Sequence, residues 1–506
     1  MNSWTQLQRS SAQTIRACQN RKLNEFINFY LYPFSPFYKN LFDQHRIPPR
    51  SIRSVEDLAR IPFTTKNDFV GETNPDKFRE FVLRPSPESV QKAWPFPKLL
   101  ALKLSRWAKG ESRLREEFAR EFRPVFMTFT SGTTQNPVAY FYSRYDIDNL
   151  SLAGERLIDV LDVAPADYLL NLFPYAPHLA FWQVVLGGLA AGNFILSTGG
   201  GKVYGTEGNI KAVMKLRPAV LLGTPGYVYH ILREAKERGC VLDFVKKVVL
   251  GAARIEPFFK LKLTEIMSEL GAGEVKVLGT YGFTEARMAW TECPADHSAS
   301  TGYHTYPDKE IFEIIDPETG QVRPEGGDGE LVYTSIDSRG SSVLRYRTGD
   351  FVKGGITYQP CPYCGRTVPR ISSDISRISD VRDLRLTKIK GSLVNLSKCS
   401  ALLEEFREIE EWQMEICKKD GDPYELDQIN IYIACKESVA RDRLKEAVTK
   451  KFYLETEVSP NAVVFLPLQD LVARLELEIS GKEKRIIDRR GYLRHNIKNT
   501  LTDKKE

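Results

Sequence analysis

Short apolar runs separated by longer amphipathic stretches set the pattern through the middle of this chain. Tyr168–Phe173, Phe194–Ser197, Ala219–Leu222, Lys247–Leu250 and Val275–Leu278 are such runs. Their length and near-continuous hydrophobicity predict short strands. Between them, stretches such as 227–238 and 257–270 repeat apolar residues at helical spacing. The alternation, from about residue 125 to 300, predicts α/β layering around a largely parallel sheet. Upstream, residues 1–85 read as helical and loop-rich, punctuated by Pro33, Pro36, Pro48, Pro49 and Pro62. Residues 86–124 carry alternating charge (Lys103, Arg106, Lys109, Arg113, Arg115, Glu116, Glu117, Arg120), which predicts exposed helices.

The pattern changes after residue 310. Ile311–Ile315, Gly329–Thr334 and Val343–Tyr346 read as short strands between Asp-Pro, Pro-Glu-Gly-Gly and Ser-Arg-Gly turns, a β-rich subdomain. Beyond about residue 380 a smaller α+β unit follows, with helices expected at 398–412 and 437–451 and strands at 429–434 and 462–466. The expected fold class is therefore α/β: a large N-terminal domain, residues 1–378, and a small C-terminal domain, residues 379–506, with the boundary near Ser379. No internal repeat or low-complexity tract interrupts this plan.

Composition adds constraints. A chain of 506 residues exceeds what one hydrophobic core usually supports, consistent with two domains. The net charge of +6 is small against 71 basic and 65 acidic residues and does not single out nucleic acid as a partner. The basic C-terminal residues Arg489, Arg490, Arg494, Lys498, Lys504 and Lys505 read as a solvated end. No apolar run is long enough to predict a membrane span, and no secretory signal is expected at Met1–Gln6. Eight cysteines without such a signal point to the reducing cytoplasm.

Candidate chemistry begins at Thr130-Ser131-Gly132-Thr133-Thr134, five small residues after the apolar Val125, Phe126 and Met127. Hydroxyls and a flexible glycine let successive N–H groups converge on an anion such as a triphosphate, although an ordinary polar turn has the same composition. Three more segments follow in order: Thr280-Tyr281-Gly282-Phe283-Thr284-Glu285, Tyr346-Arg347-Thr348-Gly349-Asp350 and Ser480-Gly481-Lys482. Together they resemble the adenylate-forming superfamily of acyl-CoA synthetases, luciferases and peptide-synthetase adenylation domains. Within it the chain is most similar to the phenylacetate–CoA ligase branch. Ser35-Pro36-Phe37-Tyr38, Pro62-Phe63-Thr64-Thr65-Lys66, Cys361-Pro362-Tyr363-Cys364-Gly365-Arg366-Thr367 and Gly481 through Asp488 extend the resemblance over nearly the whole chain.

The resemblance implies activation of an aryl or acyl carboxylic acid by ATP and Mg²⁺, giving an acyl-adenylate and pyrophosphate, then transfer to the thiol of coenzyme A. Transfer to an amine, a hydroxyl or a carrier-protein thiol is the alternative, and a catalytically impaired nucleotide-binding homologue is a third. Residues Thr130 to Thr134 would hold the β- and γ-phosphates, Tyr281 and Gly282 would lie on adenine, and Thr284 would touch the α-phosphate. Glu285 would coordinate Mg²⁺, a hard cation suited to carboxylate and phosphate oxygens. Asp350 and Arg377 would contact the ribose hydroxyls, and Gly251-Ala252-Ala253 would let adenine approach the backbone. Lys482 would enter the site for adenylation and withdraw as the small, mobile domain rotates for thioester formation. His178 would line the junction of acyl pocket and thiol tunnel, with Tyr175, Trp182, Thr224 and Tyr227 around the acyl group. A homodimer is left open.

Cys361-x2-Cys364-Gly365 has the spacing of half a tetrahedral zinc site. Some members of the branch carry Cys and Gly-x-His where this chain has Cys293 and His304, which would complete a structural Zn²⁺ site, with His297 the competing nitrogen ligand. Two departures from the family pattern stand out. Gln135-Asn136 replaces a glycine-led pair after the phosphate loop, and Ser379 occupies the hinge usually held by Asp.

Overall fold

Alternate residues of the central strands enter two different cores, which is why those strands are apolar throughout. Leu169, Val220, Leu222 and Val249 pack with Leu157, Ile158 and Leu161 from the Arg144–Val160 helix and its end. Their neighbours Leu170, Leu221, Val248 and Leu250 face the other way, onto Val228, Ile231 and Leu232 of Pro225–Glu237 and Leu263 and Ile266 of Pro257–Glu269. The computed structural model describes residues 3–70, 76–130, 138–255, 257–295, 300–378, 386–389, 392–419, 427–456, 458–476 and 483–489.

In this sheet Ile195–Ser197, Leu169–Asn171, Val220–Gly223, Lys247–Leu250 and Lys276–Phe283 run parallel, in that spatial order. It then continues antiparallel through Met288–Thr291, Tyr303–His304, Arg370–Ile371 and Ile356–Thr357, nine strands in all. The expected largely parallel sheet is thus only half parallel. The cause is a tight turn at Thr284–Arg287, where Arg287 takes a φ of 59° and the chain returns beside its own strand instead of crossing over through a helix.

A four-stranded antiparallel sheet holds Glu310–Ile315, Gly329–Ser335, Tyr346–Val352 and Ile375–Arg377. Its third strand begins at Tyr346, later than the expected Val343–Tyr346. Arg345 has a φ of 45° and donates its N–H to Thr334 Oγ1, so the chain is not extended just before it. Tyr333 and Tyr346 from this sheet join Trp290 and, from the N-terminal helical segment, Tyr38, Phe69 and Phe81 in an aromatic core. Truncating one such buried ring costs about 3–5 kcal/mol.

Residues 396–489 form their own hydrophobic cluster around Trp412, Met414, Ile416, Ile431, Ile433, Val448 and Phe452. Ala462–Phe465, Asp427–Cys435, Ile409–Lys418 and Ile486–Asp488 lie side by side in that order. The helix expected at 398–412 ends at Glu404, and Ile409–Lys418 is a strand instead. Trp412, Met414 and Ile416 alternate into the core, while Gln413 and Glu415 bond Lys484 O and Tyr432 Oη on the other face. That period of two overrides the helical propensity of the preceding Leu-Leu-Glu-Glu. Ser379 lies outside the described residues.

Candidate active site

The C-terminal ends of the parallel strands, where sheets of this kind place ligands, gather most of the residues singled out in the sequence. Tyr281 lies near the end of the Lys276–Phe283 strand, with its hydroxyl donating to Asp350 Oδ2 at 2.7 Å. Its ring stacks on Tyr303, centroids 5.7 Å apart. Asp350 faces Arg377 across two paired strands, and the Arg377 guanidinium lies 3.1 Å from Asp350 Oδ1 while also donating to Thr348 O. One carboxylate therefore collects a phenol and a guanidinium from two other strands. Burial pushes the Tyr281 phenol well above its usual pKa, and the neighbouring Asp350 charge adds to this.

Glu285 sits at the Thr284–Arg287 turn and accepts a hydrogen bond from Tyr346 Oη at 2.8 Å. Burial raises its pKa, and the Tyr346 hydroxyl and the Arg377 charge offset this only in part. A carboxylate in that state gains from a cation, so the donor is chemically suited to Mg²⁺. The sequence reading assigned no role to Tyr346, although it opens the Tyr-Arg-Thr-Gly-Asp segment. Tyr303 was missed as well, because its stacking on Tyr281 depends on a return strand with no local signature.

The carbonyl of Phe129, one residue before the hydroxyl-rich loop, accepts from His178 Nδ1 at 3.0 Å and from Thr284 Oγ1 at 3.4 Å. The proton on that imidazole nitrogen is assigned from this hydrogen bond. Phe129 N in turn donates to Pro177 O at 2.7 Å. The two ends of the loop are pinned together, since Thr130 N donates to Val138 O and Val138 N to Thr130 Oγ1. His178 and Thr284 thus meet at the mouth of this loop. Ser131, Gly132, Thr133, Thr134, Gln135, Asn136, His297 and Lys482 lie outside the described residues.

Gly251, Ala252 and Ala253 form a ledge at the end of Lys247–Leu250. A Cβ on Gly251 would stand 2.3 Å from Thr280 Oγ1, so only glycine fits, and Ala252 holds a φ of 66° that a side chain rarely adopts. Tyr175 and Trp182 are brought together, centroids 6.0 Å apart, and Tyr175 is 62% exposed. Tyr227 is buried with its hydroxyl taken by Asn209 Nδ2, so it belongs to the core rather than to an open acyl pocket.

Beside this region Cys293, His304, Cys361 and Cys364 bring their ligand atoms within 4.8 Å of one another. Cys293 Sγ is 3.7 Å from Cys361 Sγ, and Cys364 Sγ is 3.3 Å from His304 Nε2. A tetrahedral zinc with Zn–S bonds of about 2.3 Å would set two sulfurs about 3.8 Å apart, so the donors fit that ion. Hydrogen bonding within the cluster drives Cys293 above and Cys364 below the usual thiol range.

The family model described as "AMP-binding enzyme" matches residues 60–340, which include the Pro124–Phe129 strand, the ledge at 251–253 and the Thr284–Arg287 turn. The chain belongs to that family. Similar curated proteins are phenylacetate-coenzyme A ligases. That of Thermus thermophilus is 27% identical over 441 residues, covering 86% of this chain and 85% of its own. That of Aromatoleum evansii is 25% identical over 497 residues, covering 96% of each. Among solved structures, 2-hydroxyisobutyryl-CoA ligase in the postadenylation state with 2-HIB-AMP has a TM-score of 0.70 at 18% identity, covering 98% of this chain and 94% of that one. The same ligase with 2-HIB-AMP and CoA in the thioesterification state has a TM-score of 0.58 at 18% identity, covering 99% and 96%. The mixed α/β fold of this AMP-binding enzyme is thus shared with acyl-CoA ligases, as the sequence motifs implied.

Proposed function

We propose that this AMP-binding enzyme activates an aryl or acyl carboxylic acid with ATP, releases pyrophosphate, and passes the acyl group from the adenylate to the thiol of coenzyme A. The observation that carries the reading is the convergence of Tyr281, Asp350 and Arg377 beside Glu285 and the pinned ends of the 130–138 loop. The names of its curated relatives support the same acceptor and an aryl acid.

The attacking carboxylate is already an anion, so catalysis is positioning and charge neutralisation at the α-phosphorus. Tyr281 and Gly282 and the ledge at 251–253 bind adenine, and Asp350 and Arg377 hold the ribose. Thr284 and the 130–134 loop hold the phosphates. Glu285 would hold Mg²⁺, which neutralises phosphate charge when bound. Lys482 supplies positive charge to the α-phosphate and the attacking oxygen during adenylation. Its segment belongs to a small domain, residues 379–506, that rotates against residues 1–378 for the thiol step. His178 borders the acyl and thiol paths. Cys293, His304, Cys361 and Cys364 would hold a Zn²⁺, which would serve structure rather than chemistry because four protein donors complete its usual ligand set. The enzyme acts in the cytoplasm on a small-molecule acid.

The test is carboxylate-dependent exchange of labelled pyrophosphate into ATP across a panel of aryl and acyl acids, followed by CoA, amines and holo-carrier protein as acceptors. Exchange with at least one acid, reduced about 10²-fold or more in Lys482→Ala, and acyl-CoA as the main product are expected. Transfer only to an amine or carrier would replace CoA as acceptor. Background exchange with every acid would mark a nucleotide-binding homologue without chemistry.

A further inference from the structure

The Phe96–Lys109 helix presents apolar side chains on two faces, and none of its residues is fully buried. Leu99 and Leu102 pack onto the aromatic core of the N-terminal segment. Phe96, Leu100, Leu104 and Trp107 face solvent, exposed by 74, 43, 57 and 87%. At 100° per residue these four fall within an arc of about 80° and run about 16 Å along the helix. They form a continuous stripe rather than scattered surface residues.

The same helix carries Lys98, Lys103, Arg106 and Lys109 and no acidic residue. Lys98 is turned inward, over the Trp94 and Tyr30 rings at 3.9 and 4.2 Å. Arg106 and Lys109 reach Glu111 and Glu117 of the following helix, Glu111–Phe122, at 2.8 and 2.7 Å, which fixes the two helices against each other. Across the pair seven basic residues stand against four acidic ones, in a chain of net charge +6.

We propose that this face docks the protein on an anionic lipid surface. Phe96, Leu100, Leu104 and Trp107 enter the boundary between headgroups and acyl chains, and Lys103, next to the stripe around the helix, lies among the headgroup phosphates, with Arg106 at the rim still paired to Glu111. An apolar stripe with a tryptophan beside a cationic flank is the composition that partitions to such interfaces. A second copy of the chain is the less suitable occupant. A two-fold contact through this helix would set its cations against themselves, whereas anionic headgroups complement them. The inference is independent of the adenylation reading.

The full-length protein is sedimented with phosphatidylcholine vesicles with and without phosphatidylglycerol. Binding to the anionic vesicles, weakened by salt, is expected, with much less binding to phosphatidylcholine alone. Leu104→Asp and Trp107→Asp should each lower the partition coefficient about tenfold or more, and Lys103→Glu should lower it on anionic vesicles. Pyrophosphate exchange in solution should be unchanged in all three, which also reports that they fold. Trp107→Phe should keep binding and lose the blue shift of tryptophan emission on adding vesicles. No sedimentation with anionic vesicles at low salt, or variants that bind like the parent, would overturn the proposal. So would a parent dimer that Trp107→Asp turns into monomer, since the stripe would then belong to a second copy.

Discussion

Glu285 is placed where its own charge is disfavoured. Burial raises its pKa, and the Tyr346 hydroxyl that it accepts from stabilises the charged form only in part. Glu285→Gln keeps the size and an oxygen for Tyr346 while removing the charge. Pyrophosphate exchange should then fall about 10²-fold or more, with the requirement for Mg²⁺ at saturation shifted upward. An unchanged Mg²⁺ dependence would separate Glu285 from the cation. Asp337 shows the opposite setting. Burial alone would raise it, but Lys309, Lys22 and Arg339 together hold it well below the usual carboxylate range. Its folded pKa is depressed, so its stabilisation is present above the unfolded value of about 3.9 and is lost as pH falls below that. Asp337→Asn leaves these cations facing a neutral group and should cost about 3–5 kcal/mol at neutral pH. Urea unfolding at neutral and acidic pH checks both points, because the variant should show a smaller loss of stability on acidification than the parent.

Among the elements, the cysteine cluster brings together separate pieces of chain, at Cys293, His304 and Cys361–Cys364. His304 pairs with Thr291 and Arg370, and the adjacent Tyr303 stacks on Tyr281, so the Cys/His cluster is linked to the Tyr281–Asp350 contact through one strand. Cys361→Ser, or removal of metal from the parent by chelation, should release about one zinc per chain and lower Tm by roughly 5–10 °C, a cost of a few kcal/mol. At a temperature where the variant stays folded, the maximal exchange rate should remain within a few-fold. Loss of all exchange in a folded variant would give the cluster a direct part in the chemistry. These elements also mark what the sequence made legible. The five parallel strands were readable because Leu, Val and Ile runs have few alternatives, and the four donors were readable from Cys-x2-Cys plus the matching Cys and His. The hairpin at Thr284–Arg287 and the strand at Ile409–Lys418 were not, because one rests on a positive φ at Arg287 and the other on a two-residue period set by tertiary burial.

At the scale of the whole molecule, the 396–489 unit meets the helices behind the central sheet through buried charge. Glu411, 1% exposed, lies 3.0 Å from Arg485 of its own unit and 3.5 Å from Arg233 of the Pro225–Glu237 helix. Lys262 donates to Ile409 O and Glu410 O at 3.0 and 3.1 Å, and burial brings its pKa down to about 8. Glu483, next in sequence to Lys482, reaches so close to Gly226 that a Cβ there would sit 1.8 Å from its carboxylate. Such a contact is sensitive to loss of one partner, since removing Glu411 takes the carboxylate from buried Arg233 and leaves Arg485 with Glu483 alone, whereas replacing the set with apolar groups need not weaken it. Glu411→Ala should therefore loosen the contact by about 3–5 kcal/mol. Limited proteolysis should cut the variant faster between the two units, and exchange should fall with the KM for ATP little changed, because the Tyr281–Asp350 cluster is untouched. Arg233→Met added to Glu411→Met should recover part of both. Lys262 fixes the sign of the pH effect. Its folded pKa lies below the unfolded value of about 10.4, so the cost of charging it is full below pH about 8 and relieved as pH rises toward 10. The contact should accordingly tighten over that range in the parent and stay flat in Lys262→Met. A parent whose proteolysis does not slow between neutral and alkaline pH would remove Lys262 from the account and leave Glu411 to carry the docking alone.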